Sequence, residues 1–229
     1  MKFFGMHSVF LNSLFMSLVY RPSLLFIVAS LFPLVFIILC NFIYYNGNHN
    51  ASSHFPTLSE IAVQPPESRV FTVGFTVSAW LYLPVFIIIY NLVSIKKSNL
   101  QKSPIWLKIC IFSSMVFALL SIASLIGAAS ISIKESKTFH NFCGSLFIIS
   151  VSLYFLLVDM QFIYLKLIVT PISWMCTFTI PTAVFISSFF ISPYKSYFQY
   201  LGITFISFKL LAISASLPRM GLLMTKKPQ

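Results

Sequence analysis

With 229 residues, 58% of them hydrophobic and 17% aromatic against only 8% charged, the chain carries too little charge to cover a soluble domain of its size. A mean hydropathy of +0.92 makes it an integral membrane protein, and the length suits one all-α bundle of about six spans of roughly 20 residues each. The net charge of +11 does not point to nucleic acid. The basic residues are scattered at the ends of apolar runs, where anionic lipid headgroups and the positive-inside rule account for them.

Residues 1–23 form an N-terminal segment ahead of the first span. Within 3–20, His7, Ser8, Asn12, Ser13 and Ser17 recur at a spacing of four or five, which gathers them on one side of a helix. The run reads as an amphipathic helix in the cytosolic headgroup layer, with a signal peptide or an extra span as alternatives. Asn12 and the absence of a small-residue cleavage site favour the first. Six spans are expected at about 24–44, 70–93, 106–128, 139–158, 167–190 and 200–217, followed by a tail at 218–229. Pro33 falls inside the first, Pro84 inside the second, and Pro171 and Pro181 inside the fifth. In the third, Ser121, Ala123, Ser124, Gly127, Ala128, Ala129 and Ser130 offer a small-residue packing surface. The far end of the fourth is open, because Asp159-Met-Gln-Phe reads equally as loop or as a last helical turn. The last span contains Lys209, a mid-span charge whose stem is expected to reach towards the nearer headgroups.

Sidedness follows from the Lys and Arg positions. One side receives ten of the fifteen: Lys2, Arg21, Lys96, Lys97, Lys102, Lys108, Lys166, Arg219, Lys226 and Lys227. Arg69, Lys134, Lys137 and Lys195 fall on the other, so the basic side, with both termini, is assigned to the cytosol. On the lumenal side lies the sequon Asn50-Ala-Ser52, a candidate glycosylation site. Lys226 and Lys227 stand four and three residues from the carboxyl end. They resemble a dilysine retrieval signal of the endoplasmic reticulum, and read equally as two more cytosolic lysines.

The stretch from His54 to Phe71 is the one long polar interval of the first half. Thr57-Leu-Ser-Glu60 has the form of a capping box, so a short helical turn is expected just after Pro56. Pro65-Pro66 stops that turn, and Glu67 and Ser68 then sit where the second span begins, a carboxylate at its positive end. The interval reads as a structured cap over the membrane.

Pro-Thr-Leu-Ser-Glu followed by Pro-Pro-Glu-Ser-Arg resembles the first lumenal loop of the Frag/DRAM/Sfk family of six-span membrane proteins. Glu135-Ser-Lys-Thr-Phe-His140-Asn is similar to the second lumenal loop of that family, where a histidine opens the fourth span. The resemblance implies one of three roles. These are assistance to fatty-acid remodelling of GPI-anchored proteins in the endoplasmic reticulum and Golgi, promotion of autophagy from lysosomal membranes, or placement of a lipid kinase at the plasma membrane. The Pro-Pro-Glu-Ser run looks more like the autophagy branch. The Glu135-to-His140 spacing and the dilysine tail look more like the GPI branch, which is the reading adopted. In the last span, where the family commonly has an acidic–aromatic pair, this chain has Phe208-Lys209.

The lumenal face also gathers His49, His54, Glu60, Glu67, Arg69, Glu135 and His140. Of these, Glu60, Glu67, Arg69 and His140 are the candidates for a lipid-headgroup site, with membrane lipids, GPI-anchored proteins or other membrane proteins as partners. No His-x-x-x-His or His-Glu-x-x-His spacing marks a metal site, so neither metal nor cofactor is expected. The residue types leave catalysis open, and the expectation is a non-catalytic helper. Cys40, Cys110, Cys143 and Cys176 read as small apolar packing residues. Whether Cys40 and Cys143, at similar depth, pair as a disulfide is left open.

Overall fold

A computed structural model describes residues 22–47, 56–100, 102–167, 169–189 and 194–225. Segment 3–20, His49, Asn50, His54, Lys226 and Lys227 lie outside the described residues. Every regular element among those described is an α-helix: α1 (Pro22–Asn46), α2 (Leu58–Ile61), α3 (Glu67–Ser98), α4 (Ile105–Ser130), α5 (Lys137–Tyr164), α6 (Pro171–Phe189) and α7 (Tyr194–Thr225). The six long helices close a ring, each packed on its neighbours in the order α1, α3, α4, α5, α6, α7 and back to α1. The short helix α2 touches α1 and α7 and caps one end. Lys96, Lys97, Lys102 and Lys108 lie at the opposite, basic end.

The membrane explains which side chains face out. Ile38, Phe112 and Phe142 are each more than 60% exposed, a surface that water would penalise and lipid does not. Phe26, Phe86, Phe155 and Phe162 are almost wholly buried between the helices. Because lipid tails are as apolar as these side chains, close packing rather than water exclusion holds the ring. Gly127 shows how close: a Cβ added there would stand 2.8 Å from the Cys143 Sγ of α5. Ser121, Ser124 and Ala129 of the small-residue stretch are buried on the same helix, while Ala123 and Ser130 face outward. All four cysteines are free thiols, so Cys40 and Cys143 do not form a disulfide.

One expectation changes. Five helices, rather than six, are long and apolar enough to cross a membrane among the described residues: α1, α3, α4, α5 and the Gln199–Leu217 part of α7. The one expected at 167–190 is represented by α6, a continuous helix of 19 residues with Pro181 inside it, whose side chains are described as far as Thr182. Its hydroxyls fall on one face for a reason visible in the packing. Ser173, Cys176, Thr177 and Ile180 form a buried inner stripe, while Ile172, Met175 and Phe178 form the exposed outer one. The end of α5 takes the second of the two forms open to it. Asp159-Met-Gln-Phe is helical, within an element that runs on to Tyr164. There Gln161 donates from Nε2 to the Cys110 carbonyl at 2.9 Å and to Ser114 Oγ at 3.2 Å, tying α5 to α4.

Candidate functional site

The capped end of the ring is built from local signals. Thr57 is the N-cap of α2: its Oγ1 accepts from the Glu60 N–H at 3.1 Å, and Glu60 Oε2 accepts from the Thr57 N–H at 2.6 Å. This is the reciprocal pairing of a capping box. Leu58, Ile61 and Ala62 are then buried under the cap. After the prolines, α3 begins at Glu67, which places its carboxylate in the first turn. A second turn of the same kind lies across the mouth. Glu135 Oε2 accepts from the Ser132 N–H at 2.7 Å, and Ser132 Oγ accepts from the Glu135 N–H at 3.3 Å. Ser136 then caps α5, its Oγ accepting from the Phe139 N–H at 3.4 Å.

His140, one turn into α5 and only 5% exposed, joins these two loops. Its Nδ1 lies 2.8 Å from the carbonyl oxygen of Ile131 and its Nε2 lies 2.8 Å from Ser59 Oγ. A carbonyl oxygen can only accept, so Nδ1 carries the proton. When the ring is neutral, Nε2 accepts from the Ser59 hydroxyl. Tyr200 on α7 secures the far side of the cap, its hydroxyl donating to Asn41 Oδ1 at 3.1 Å and lying 3.5 Å from the Pro56 carbonyl oxygen. Thr72 Oγ1 donates to the Ala129 carbonyl at 2.8 Å, joining α3 to α4 beneath the loops.

Two cavities open at this end and share the walls of Phe71, Ala128, Ala129 and His140. One, of about 380 Å³, runs down between the helices and is lined by apolar side chains such as Phe75, Leu125, Phe147 and Ile203, with Ser59, Asn141 and Gln199 among the polar ones. The other, of about 600 Å³, faces outward; Ala62, Val63 and Val73 line it together with Arg69, Ser132 and Glu135. An apolar slot meeting an antechamber that sets one guanidinium and one carboxylate on a mostly apolar wall suits an amphiphile.

Of the residues singled out in the sequence, the structure brings Arg69, Glu135 and His140 to one cavity. It does not bring Glu60 or Glu67 there. Glu60 is exposed and serves the capping box, and Glu67 is buried at the start of α3, off both cavity walls. Among the described residues no group of three or more His, Cys, Asp or Glu side chains could hold a metal ion.

Two residues escaped notice in the sequence. Ser59 looked like the interior of a capping box, and nothing local marks it as a partner of a histidine 81 positions on. Asp159 is the chain's one aspartate, and its pairing corrects the expectation for Lys209. The Lys209 side chain does not reach towards headgroups. It is fully buried, and its Nζ donates to both Asp159 carboxylate oxygens at 2.6 and 2.7 Å, to Ser173 Oγ at 2.6 Å and to the Ser173 carbonyl at 3.1 Å. Thr177 donates a further hydrogen bond to Asp159 Oδ2 at 2.7 Å. One acidic and one basic residue in separate apolar runs were the signal available.

A ring of long apolar helices with exposed apolar outer faces defines a multi-pass membrane protein. The sequence profile of the Frag1/DRAM/Sfk1/Cwh43P N-terminal domain matches residues 15–217, and the chain belongs to that family. No curated protein and no solved structure matches it.

Proposed function

We propose that this protein binds a phospholipid or the lipid part of a GPI anchor at its lumenal mouth, and so assists lipid remodelling of GPI-anchored proteins in the endoplasmic reticulum and Golgi. The observation that carries the reading is the position of His140 on the wall common to the two cavities, with the Arg69 guanidinium in the outer one and an apolar slot beyond. A guanidinium in such an antechamber recognises a phosphate, and the slot takes an acyl chain. Under this proposal the basic end of the bundle, the segment 1–23 and the tail 218–229 face the cytosol, Asn50 faces the lumen, and Lys226 and Lys227 act as a retrieval signal.

The test is complementation of cells that lack the protein, reading surface display of GPI-anchored proteins and the lipid composition of their anchors. Arg69→Ala and His140→Ala should each fail to restore the wild-type anchor lipids. If both variants restored them fully, the proposed site would be wrong. The Pro-Pro-Glu-Ser run supports a second reading, a lysosomal modulator of autophagy. Exchange of Lys226 and Lys227 for Ser separates the two. Release from the endoplasmic reticulum favours the GPI reading, and lysosomal residence of wild type and variant alike favours the other.

A further inference from the structure

We infer that Ser59 and His140 are a nucleophile–base pair that cleaves or transfers the acyl ester of a glycerophospholipid seated in the inner cavity. The inference rests on the lipid-binding reading above and adds bond-making chemistry to it. Four observations meet at one place. Ser59 Oγ and His140 Nε2 stand at 2.8 Å, the contact a base needs to take a hydroxyl proton. The Ile131 carbonyl fixes the imidazole through Nδ1 and leaves the Nε2 lone pair facing the serine, the tautomer a general base requires. Both side chains line the same 380 Å³ cavity, whose remaining wall suits an acyl chain. Gln199 lines it too, and its buried Oε1 has no hydrogen-bond partner among the described residues. The side-chain amides of Gln199 and Asn141 are donors of the class that stabilises a developing oxyanion.

Ser59 is also held as a nucleophile must be. The capping box fixes the single turn of α2, and the buried side chains of Leu58 and Ile61 anchor it. The chemistry balances without oxidant or metal. Ser59 Oγ attacks the ester carbonyl carbon as its proton passes to His140 Nε2. Collapse of the tetrahedral adduct breaks the bond to the glycerol oxygen, which takes that proton and leaves as a lysophospholipid alcohol. The acyl group remains on Ser59. Water, or the hydroxyl of a second lipid, then gives its proton to Nε2 and attacks the acyl carbon. The fatty acid or new ester departs, and the proton returns to Ser59.

The full chain in nanodiscs of phosphatidylcholine tests this. Phospholipid retained by the wild-type protein after detergent exchange is measured alongside acyl release, and a fluorophosphonate probe is mapped by mass spectrometry. The wild type should hold lipid, release acyl groups and carry the probe on Ser59. His140→Gln should slow both labelling and release by at least ~100-fold, the usual contribution of a positioned base. Ser59→Cys, a thiol in the same place, should trap an acyl thioester that hydroxylamine cleaves. A serine that merely straps the cap to α5 gives no such adduct. Wild-type protein that holds lipid but shows neither probe nor acyl group on Ser59 overturns the dyad and leaves lipid binding intact. Wild-type protein that holds no lipid overturns both.

Discussion

Asp159 and Lys209 are the one pair of opposite charges buried together among the described residues, 1% and 0% exposed and 2.6 Å apart. An ion pair in so apolar a setting gains little over a well-packed apolar pair, because desolvation offsets most of the attraction. Removing one partner is another matter, since it strands the other charge. Here every polar atom is occupied, with Ser173 and Thr177 completing the set and the Phe155 ring 5.7 Å from Nζ. The cluster therefore pins α5, α6 and α7 together and offers no open coordination. Lys209→Met should destabilise the protein by about 3–5 kcal/mol, read as a lowered melting temperature in detergent. The double variant Lys209→Met with Asp159→Leu should recover most of that loss. If the single variant melted like the wild type, the pair would not be holding the helices. Neither sequence position reveals the pairing by itself, because the partner lies 50 residues away and only the ring brings the two helices together.

Within single elements the sequence was far more legible. The capping box at Thr57 and the start of α3 at Glu67 were readable because both depend on neighbours within three or four positions. The matching turn at Ser132–Glu135 carries the same local logic, with Lys134 inside it and Lys137 just beyond. The small-residue stretch of α4 was legible as a packing surface, but not its partner. Gly127 meets Cys143 of α5 so closely that a methyl group has no room unless the sulfur gives way. Gly127→Ala should cost about 1–3 kcal/mol through overpacking, again seen as a lower melting temperature. Cys143→Ala introduced alongside should return most of it, because it removes the atom in the way. Failure of the second change to rescue the first would place the strain in the helix backbone instead of the α4–α5 contact.

At the scale of the whole molecule, composition alone announced a helical membrane bundle, since 8% charged residues leave no other way to cover the chain. The faces of the helices were less legible, because hydropathy does not separate a hydroxyl facing lipid from one facing a buried charge, and α6 turns Ser173 and Thr177 inward. Sidedness is open to a direct measurement on α4, which is both a candidate span and the wall of the inner cavity. Its 26 residues extend roughly 39 Å at ~1.5 Å per residue, more than the ~30 Å of a hydrocarbon core. Lys102, just before the helix, and Lys134, just after it, must then stand on opposite faces of the membrane. In a chain whose four native cysteines are replaced, Lys134→Cys should react with a membrane-impermeant maleimide from the lumenal side of sealed vesicles. Lys102→Cys should react only from the cytosolic side, where the positive-inside rule puts the denser lysines. Reaction of both from one side would mean that α4 does not cross. Reversal of the two would put the cap, His140 and both cavities in the cytosol, where neither a GPI anchor nor any lumenal lipid could reach them.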